Sequence, residues 1–173
     1  YLCIGAGCLP NPGVLYCTAT NIWSSLLNSP TALVSADYNF PAQSFSDTLT
    51  GPASHTVTLS PCPPGVAGAN TNHYLYLSGG VGGAEAVLIT GGTCTSGAAS
   101  GTIQFTYANN HSGTWNLRSA TAGGQEAYYS SSASVHIHFP AGVHDTYAPL
   151  TIARERVTIT GSGPRTTLIR GNF

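Results

Sequence analysis

The sequence predicts an all-β protein: an antiparallel β-sandwich-like domain followed by the start of a right-handed parallel β-helix. Three observations carry this expectation. Apolar residues recur at two-residue spacing, the period of a half-buried strand. Glycine or proline, 21 and 11 residues respectively, interrupts nearly every stretch before a helix could close three turns. In the last forty or so residues, short β-branched runs alternate with tight corners such as Pro140-Ala141-Gly142 and Gly161-Ser162-Gly163-Pro164.

Taken in chain order, the N-terminal segment 1–20 is apolar and cysteine-bearing, with a strand expected over 13–18, and suits an arm that adds a strand to a neighbour. In segment 21–123 the motif Asn21 to Leu27 allows one helix, with Trp23, Leu26 and Leu27 on one face and Asn21 as its cap. Strands are expected over 32–36, 55–59, 73–77, 85–90, 101–107 and 114–119, each bounded by turn residues. Their spacing suits a sandwich. The clearest hairpin sets Val87 and Ile89 against Ile103 and Phe105 as inward residues, with Trp115 as a lid.

Segment 124–173 opens with the helix-compatible Gln125 to Tyr129, read as a linker or a one-turn cap. Four short strands follow, marked by Val135, Ile137 and Phe139, by Leu150 and Ile152, by Val157 and Ile159, and by Leu168 and Ile169. On these residues, HIHFPAGVHDTYAPLTI and VTITGSGPRTTLIRG above all, the tail resembles the opening coils of the pectate-lyase-like superfamily of β-helix proteins, which includes phage tailspikes and exported carbohydrate-active proteins. The preceding HYLYLSGGVGGAEAVLIT stretch resembles the N-terminal β-domain of some exported bacterial members. The resemblance implies a fold and an extracellular setting; the family's catalytic residues lie on central coils that have no counterpart here, so no residue inherits a role.

Composition narrows the functions. Charged residues make up 6% of the chain, the formal net charge is −1, and lysine and methionine are absent. No basic stripe meets a phosphate backbone, so nucleic acid is not an expected partner. No apolar run is long enough to span a bilayer, and the residues from Tyr1 onward lack a signal peptide's charged and apolar regions, as expected either if one had been removed or if Tyr1 is an arbitrary boundary within a longer chain. Five cysteines, Cys3, Cys8, Cys17, Cys62 and Cys94, sit in Gly/Pro-flanked settings that favour an oxidising compartment, with Cys62 and Cys94 the best pair and an odd thiol left over. The Cys3-x4-Cys8 spacing lacks the companions of a zinc set.

Catalytic patterns are sparse. Ser, His and Asp occur without a Gly-x-Ser-x-Gly elbow, and the acids Asp37, Asp47, Glu85, Glu126, Asp145 and Glu155 are scattered, which argues against paired carboxylates. His136 and His138, two apart on one strand with His144 and Asp145 following, form a candidate metal pair that needs a third ligand; otherwise they are the polar face of a half-buried strand. No cofactor is implied. Among nine tyrosines, Tyr74, Tyr76, Tyr128 and Tyr129 are candidates for stacking on sugars, weighed against ordinary sheet packing. Asn110-His111-Ser112 fits a glycosylation sequon, and Arg154-Glu155-Arg156 reads as a solvated turn.

A coil of a β-helix finds its hydrogen-bond partners in the coils above and below, so the tail is expected to need more coils, the chain's own N-terminal arm, or another copy. The sequence therefore leads to an extracellular structural subunit that self-associates into filaments or surface polymers through open sheet edges. The rival is the non-catalytic N-terminal part of a secreted polysaccharide lyase, hydrolase or tailspike, with polysaccharide as a partner.

Overall fold

Alternating inward residues order most of the chain into strands. A computed structural model describes residues 8–11, 14–17, 32–70, 72–131 and 134–172. Strands β1 (Cys8–Asn11) and β2 (Val14–Cys17) form an antiparallel hairpin in which Cys8 is the register partner of Cys17. The short β3 (Leu33–Val34) runs into one turn of helix, α1 (Ser35–Tyr38). Then come β4 (Gln43–Phe45), β5 (Ala53–Leu59), β6 (Tyr74–Val81), β7 (Glu85–Gly91), β8 (Gly101–Tyr107) and β9 (Ser112–Ser119). A second short helix, α2 (Gly124–Tyr129), leads to β10 (Val135–Phe139), β11 (Gly142–Thr146), β12 (Val157–Gly161) and β13 (Thr167–Gly171).

The antiparallel part is one six-stranded sheet in the order β4-β9-β6-β7-β8-β5, where the spacing had suggested two sheets of a sandwich. It curls until its edges nearly meet. Phe45 stacks on its register partner Trp115 with ring centroids 4.8 Å apart, and the Trp115 ring also meets His55 of β5, the opposite edge strand, at 6.1 Å. At the seam, Gln43 donates from Nε2 to the Pro61 carbonyl and accepts the Ser60 N–H, while the Asp47 carbonyl accepts from Trp115 Nε1. Strand spacing sets how many strands form but not whether they close on one another; closure here rests on Trp115, which fills the centre and is not a lid. Leu75, Leu77, Val87, Ile89, Ile103, Phe105 and Leu117 complete this core, each fully buried and each contributing roughly 1.5–3 kcal/mol by leaving water. The Cys62–Cys94 disulfide ties the loop after β5 to the loop between β7 and β8.

The remaining strands pair in parallel. β10 lies between β12 and β3, with Val135 beside Val157 and Ile137 beside both Ile159 and Leu33. β11 pairs with β13, with Gly142 beside Thr167. Val135, Ile137 and Phe139 face a second core with Ala122, Ala127 and Tyr128. The strand expected around Leu150 and Ile152 does not form, and β11 occupies that place in the order instead. Pro149 has no N–H to give, the Thr151 N–H donates to Gln125 Oε1, and the Ala153 and Arg154 N–H groups donate to the Tyr128 hydroxyl. Three of the backbone donors of 150–154 are thus taken by side chains of α2. The strand expected over 32–36 is cut to two residues by α1, and β4 is a strand that the pattern did not announce. The helix expected from Asn21 to Leu27 lies outside the described residues.

Helix α2 joins the two cores. Its six residues are too few to persist alone, and no side chain of its left-handed N-cap Gly123 can help. Ser119 and Thr121 supply the caps: Ser119 Oγ accepts the Thr121 and Gly123 N–H groups, and Thr121 Oγ1 accepts that of Gln125. A Cβ on Gly123 would lie 2.0 Å from the Ser35 carbonyl oxygen, so glycine is required where α1 and α2 cross. The fully buried Glu126 then accepts from His73 Nε2 on one carboxyl oxygen and from the Ser119 and Thr121 hydroxyls on the other, at 2.9–3.1 Å.

Replacing Glu126 with Ala leaves three buried donors without an acceptor. Urea denaturation should show a loss of about 3 kcal/mol or more, and Glu126→Gln a smaller loss. Equal stability of wild type and Glu126→Ala would remove α2 as the joint.

Candidate functional site

Serine, histidine and an acid do meet, at Ser119, His73 and Glu126, but not in the order that activates a nucleophile. A relay needs histidine between hydroxyl and carboxyl. Here the carboxyl lies between the other two, and the Ser119 oxygen already donates one hydrogen bond and accepts two. His73 Nδ1 is buried with no hydrogen-bond partner among the described residues. The arrangement is a fastener.

The tyrosines are employed in the same way. Tyr76 stacks on Tyr147 at 3.8 Å, with the Arg118 guanidinium 4.9 and 5.0 Å from the two ring centres, so the ring proposed for sugar is covered from within the chain. Tyr128 is buried, its hydroxyl accepts two backbone N–H groups, and Arg154 lies over its ring at 4.1 Å. Those contacts and the hydrogen bond from Arg154 outweigh burial, which alone would raise the phenol, and hold its pKa below the ordinary value. Tyr74 and Tyr129 are half-buried. Tyr129 borders a cleft of about 460 Å³ with Asn70, Asn72 and Ser131.

His136 and His138 do share the face opposite Val135, Ile137 and Phe139. Both rings reach Thr160 Oγ1 of β12, at 2.8 and 3.1 Å, and His138 Nε2 reaches Ser162 Oγ. Among the described residues no three His, Cys, Asp or Glu gather as a metal set. His144 is turned the other way, its Nε2 donating to the Pro140 carbonyl. Asp145 accepts from Arg170 and Asn172, which hold its carboxyl below the usual range. Of the cysteines, Cys62 and Cys94 are bonded to each other; Cys3, and the side chains of Cys8 and Cys17, lie outside the description.

Among the described residues, one end of the parallel ladders has no strand across it. β12 and β13 each have a strand neighbour on one side only among the described residues. Ile137 is fully buried on β10, but its neighbour Ile159 on β12 is 45% exposed and Ile169 on β13 is 48% exposed. Between these two strands opens a concave cleft of about 510 Å³ lined by Ile159, Gly161, Pro164, Thr167 and Ile169. Val143 and Leu168, register partners on the outer face, are also exposed. The result is an apolar concavity beside strand edges that have no second strand neighbour among the described residues.

Compared with known proteins, the chain matches no family model, no curated protein and no solved structure.

Glu85 gives the antiparallel part its response to acid. Burial would raise its carboxyl, but the His111 ring and the Ala108 and Asn109 N–H groups donate to it and hold it below its ordinary value of 4.5. A depressed folded pKa contributes stability above the unfolded value, and that contribution is lost as pH falls through the folded one. Thermal melts should therefore fall steeply below about pH 4.5 in the wild type, and less steeply in Glu85→Gln, which starts lower at neutral pH. Parallel pH profiles would exclude Glu85 as the source.

Proposed function

We propose that the chain is an extracellular structural subunit that assembles through uncovered strand edges, and that its parallel ladders are the first coils of a right-handed parallel β-helix. One observation carries this reading: the two ends of the ladders differ. Toward α2 the interior is filled by Tyr128, Ala127 and Phe139; toward β12 and β13 it is an open apolar concavity. Burying a face like that on a further coil gains both backbone hydrogen bonds and apolar contact. The Cys62–Cys94 disulfide supports an oxidising, extracellular setting.

The sealed end favours a second reading as well. A β-helix closed by a helix at one end and open at the other suits the N-terminal cap of a longer secreted polysaccharide lyase, hydrolase or tailspike, whose remaining coils and polysaccharide contacts would follow β13. The intact mass of the natural product separates the two, since a protein much larger than 17.7 kDa favours the second.

Light scattering over a concentration series tests the reading directly. Wild-type mass should rise with concentration, while a variant carrying Ile159→Lys and Ile169→Lys should stay at the monomer mass with an unchanged circular dichroism spectrum, because both side chains are exposed. A wild type that remains monomeric throughout overturns it.

A further inference from the structure

Among the described residues a second edge of the same sheet also lacks a strand neighbour. In the order β12-β10-β3, β3 also has a neighbour on one side only among the described residues. The register aligns Leu33 of β3, Ile137 of β10 and Ile159 of β12 in one inward column. Only the middle member is fully buried; Leu33 and Ile159 are both partly exposed. A column of aliphatic residues with no further strand at either end among the described residues would continue itself if one copy were laid on the next.

Charge distinguishes the possible arrangements. Four of the five cations, Arg154, Arg156, Arg165 and Arg170, follow Ala153, whereas Asp37, Asp47, Glu85 and Glu126, four of the six acids, precede Ala127. At the edges themselves, the exposed Arg165 lies in the corner that follows the C-terminal end of β12, and the exposed Asp37 lies in α1, which follows the C-terminal end of β3. Parallel strands point the same way, so setting β3 of one copy beside β12 of another brings these two corners to the same side. Joining two β12 edges about a two-fold axis instead runs them antiparallel and sets Arg165 of each copy against the other's Arg154-Glu155-Arg156 corner, where two arginines outnumber one acid.

We propose that the occupant of the open end is the β3/α1 end of a second copy, so that copies add head to tail, Leu33 continuing the Ile137 and Ile159 column and Asp37 facing Arg165. This rests on the assembly reading above and adds its partner and polarity. A heterologous contact of this kind that does not close into a ring propagates as a filament.

Charge reversal tests the polarity without touching the apolar edge. Arg165→Glu alone and Asp37→Arg alone should each raise the concentration at which mass grows about tenfold, since each sets like charges together in a strand contact. An equimolar mixture of the two variants should restore wild-type assembly, because every contact between unlike copies is again paired. Electron microscopy of the wild type should show filaments. Failure of the mixture to recover, or growth that stops at two copies, overturns this arrangement. If assembly ignores both reversals yet is abolished by Ile159→Lys with Ile169→Lys, the open edge stands and the head-to-tail partner falls; if the wild type never assembles, both fall.

Discussion

A single buried carboxyl group, that of Glu126, holds the molecule together across its least self-sufficient element. The curled antiparallel sheet has its own core around Trp115, and the parallel ladders have theirs around Ile137 and Phe139. Between them stands one helix of six residues. Such a helix does not form by propensity, and its position depends on directional bonds: Glu126 to the ends of β6 and β9, Gln125 and Tyr128 to the chain between β11 and β12. Burial costs each of these polar groups its water, and only the full set of partners offsets that cost.

The same logic explains why residues with reactive side chains do structural work here. With so few ionisable groups, the chain uses them where backbone donors would otherwise be stranded. Glu85 takes up the N–H groups of the turn between β8 and β9, and the neutral Gln43 amide does the same for the Ser60 N–H at the seam of the sheet. The Ser119 hydroxyl, which donates one hydrogen bond and accepts two, has every donor and acceptor position taken.

What was legible in the sequence was local. The two-residue alternation of Val87 and Ile89 against Ile103 and Phe105 predicts their burial, and turn-end placement predicts the Cys62–Cys94 bond. Val135, Ile137 and Phe139 face inward as their spacing requires. What was not legible depended on partners distant in the chain. Gln43-Ser44-Phe45 becomes a strand because β9 offers an edge, with Phe45 opposite Trp115. Leu150 to Ala153 has the residues of a strand but loses its amides to Gln125 and Tyr128, and no periodicity announces that competition. The aromatic pair Tyr76 and Tyr147 likewise meets only through tertiary folding, and it covers one face of a ring whose sequence setting suited a ligand.

The two sheets treat their edges in opposite ways, and this contrast bears most on function. The antiparallel sheet bends its edge strands β4 and β5 toward each other and bridges them with side chains, which removes them as templates for another chain. Strand β12 has no such protection. Its residues, Val157-Thr158-Ile159-Thr160-Gly161, include no charge, no proline and no bulge, and the histidines beside it on β10 pin Thr160 in line with the ladder. Charges that would repel an incoming strand stand at the corners, on Arg156 and Arg165, and not along the edge. Among the described residues the fold thus closes one edge with side chains and leaves the other straight, neutral and β-branched.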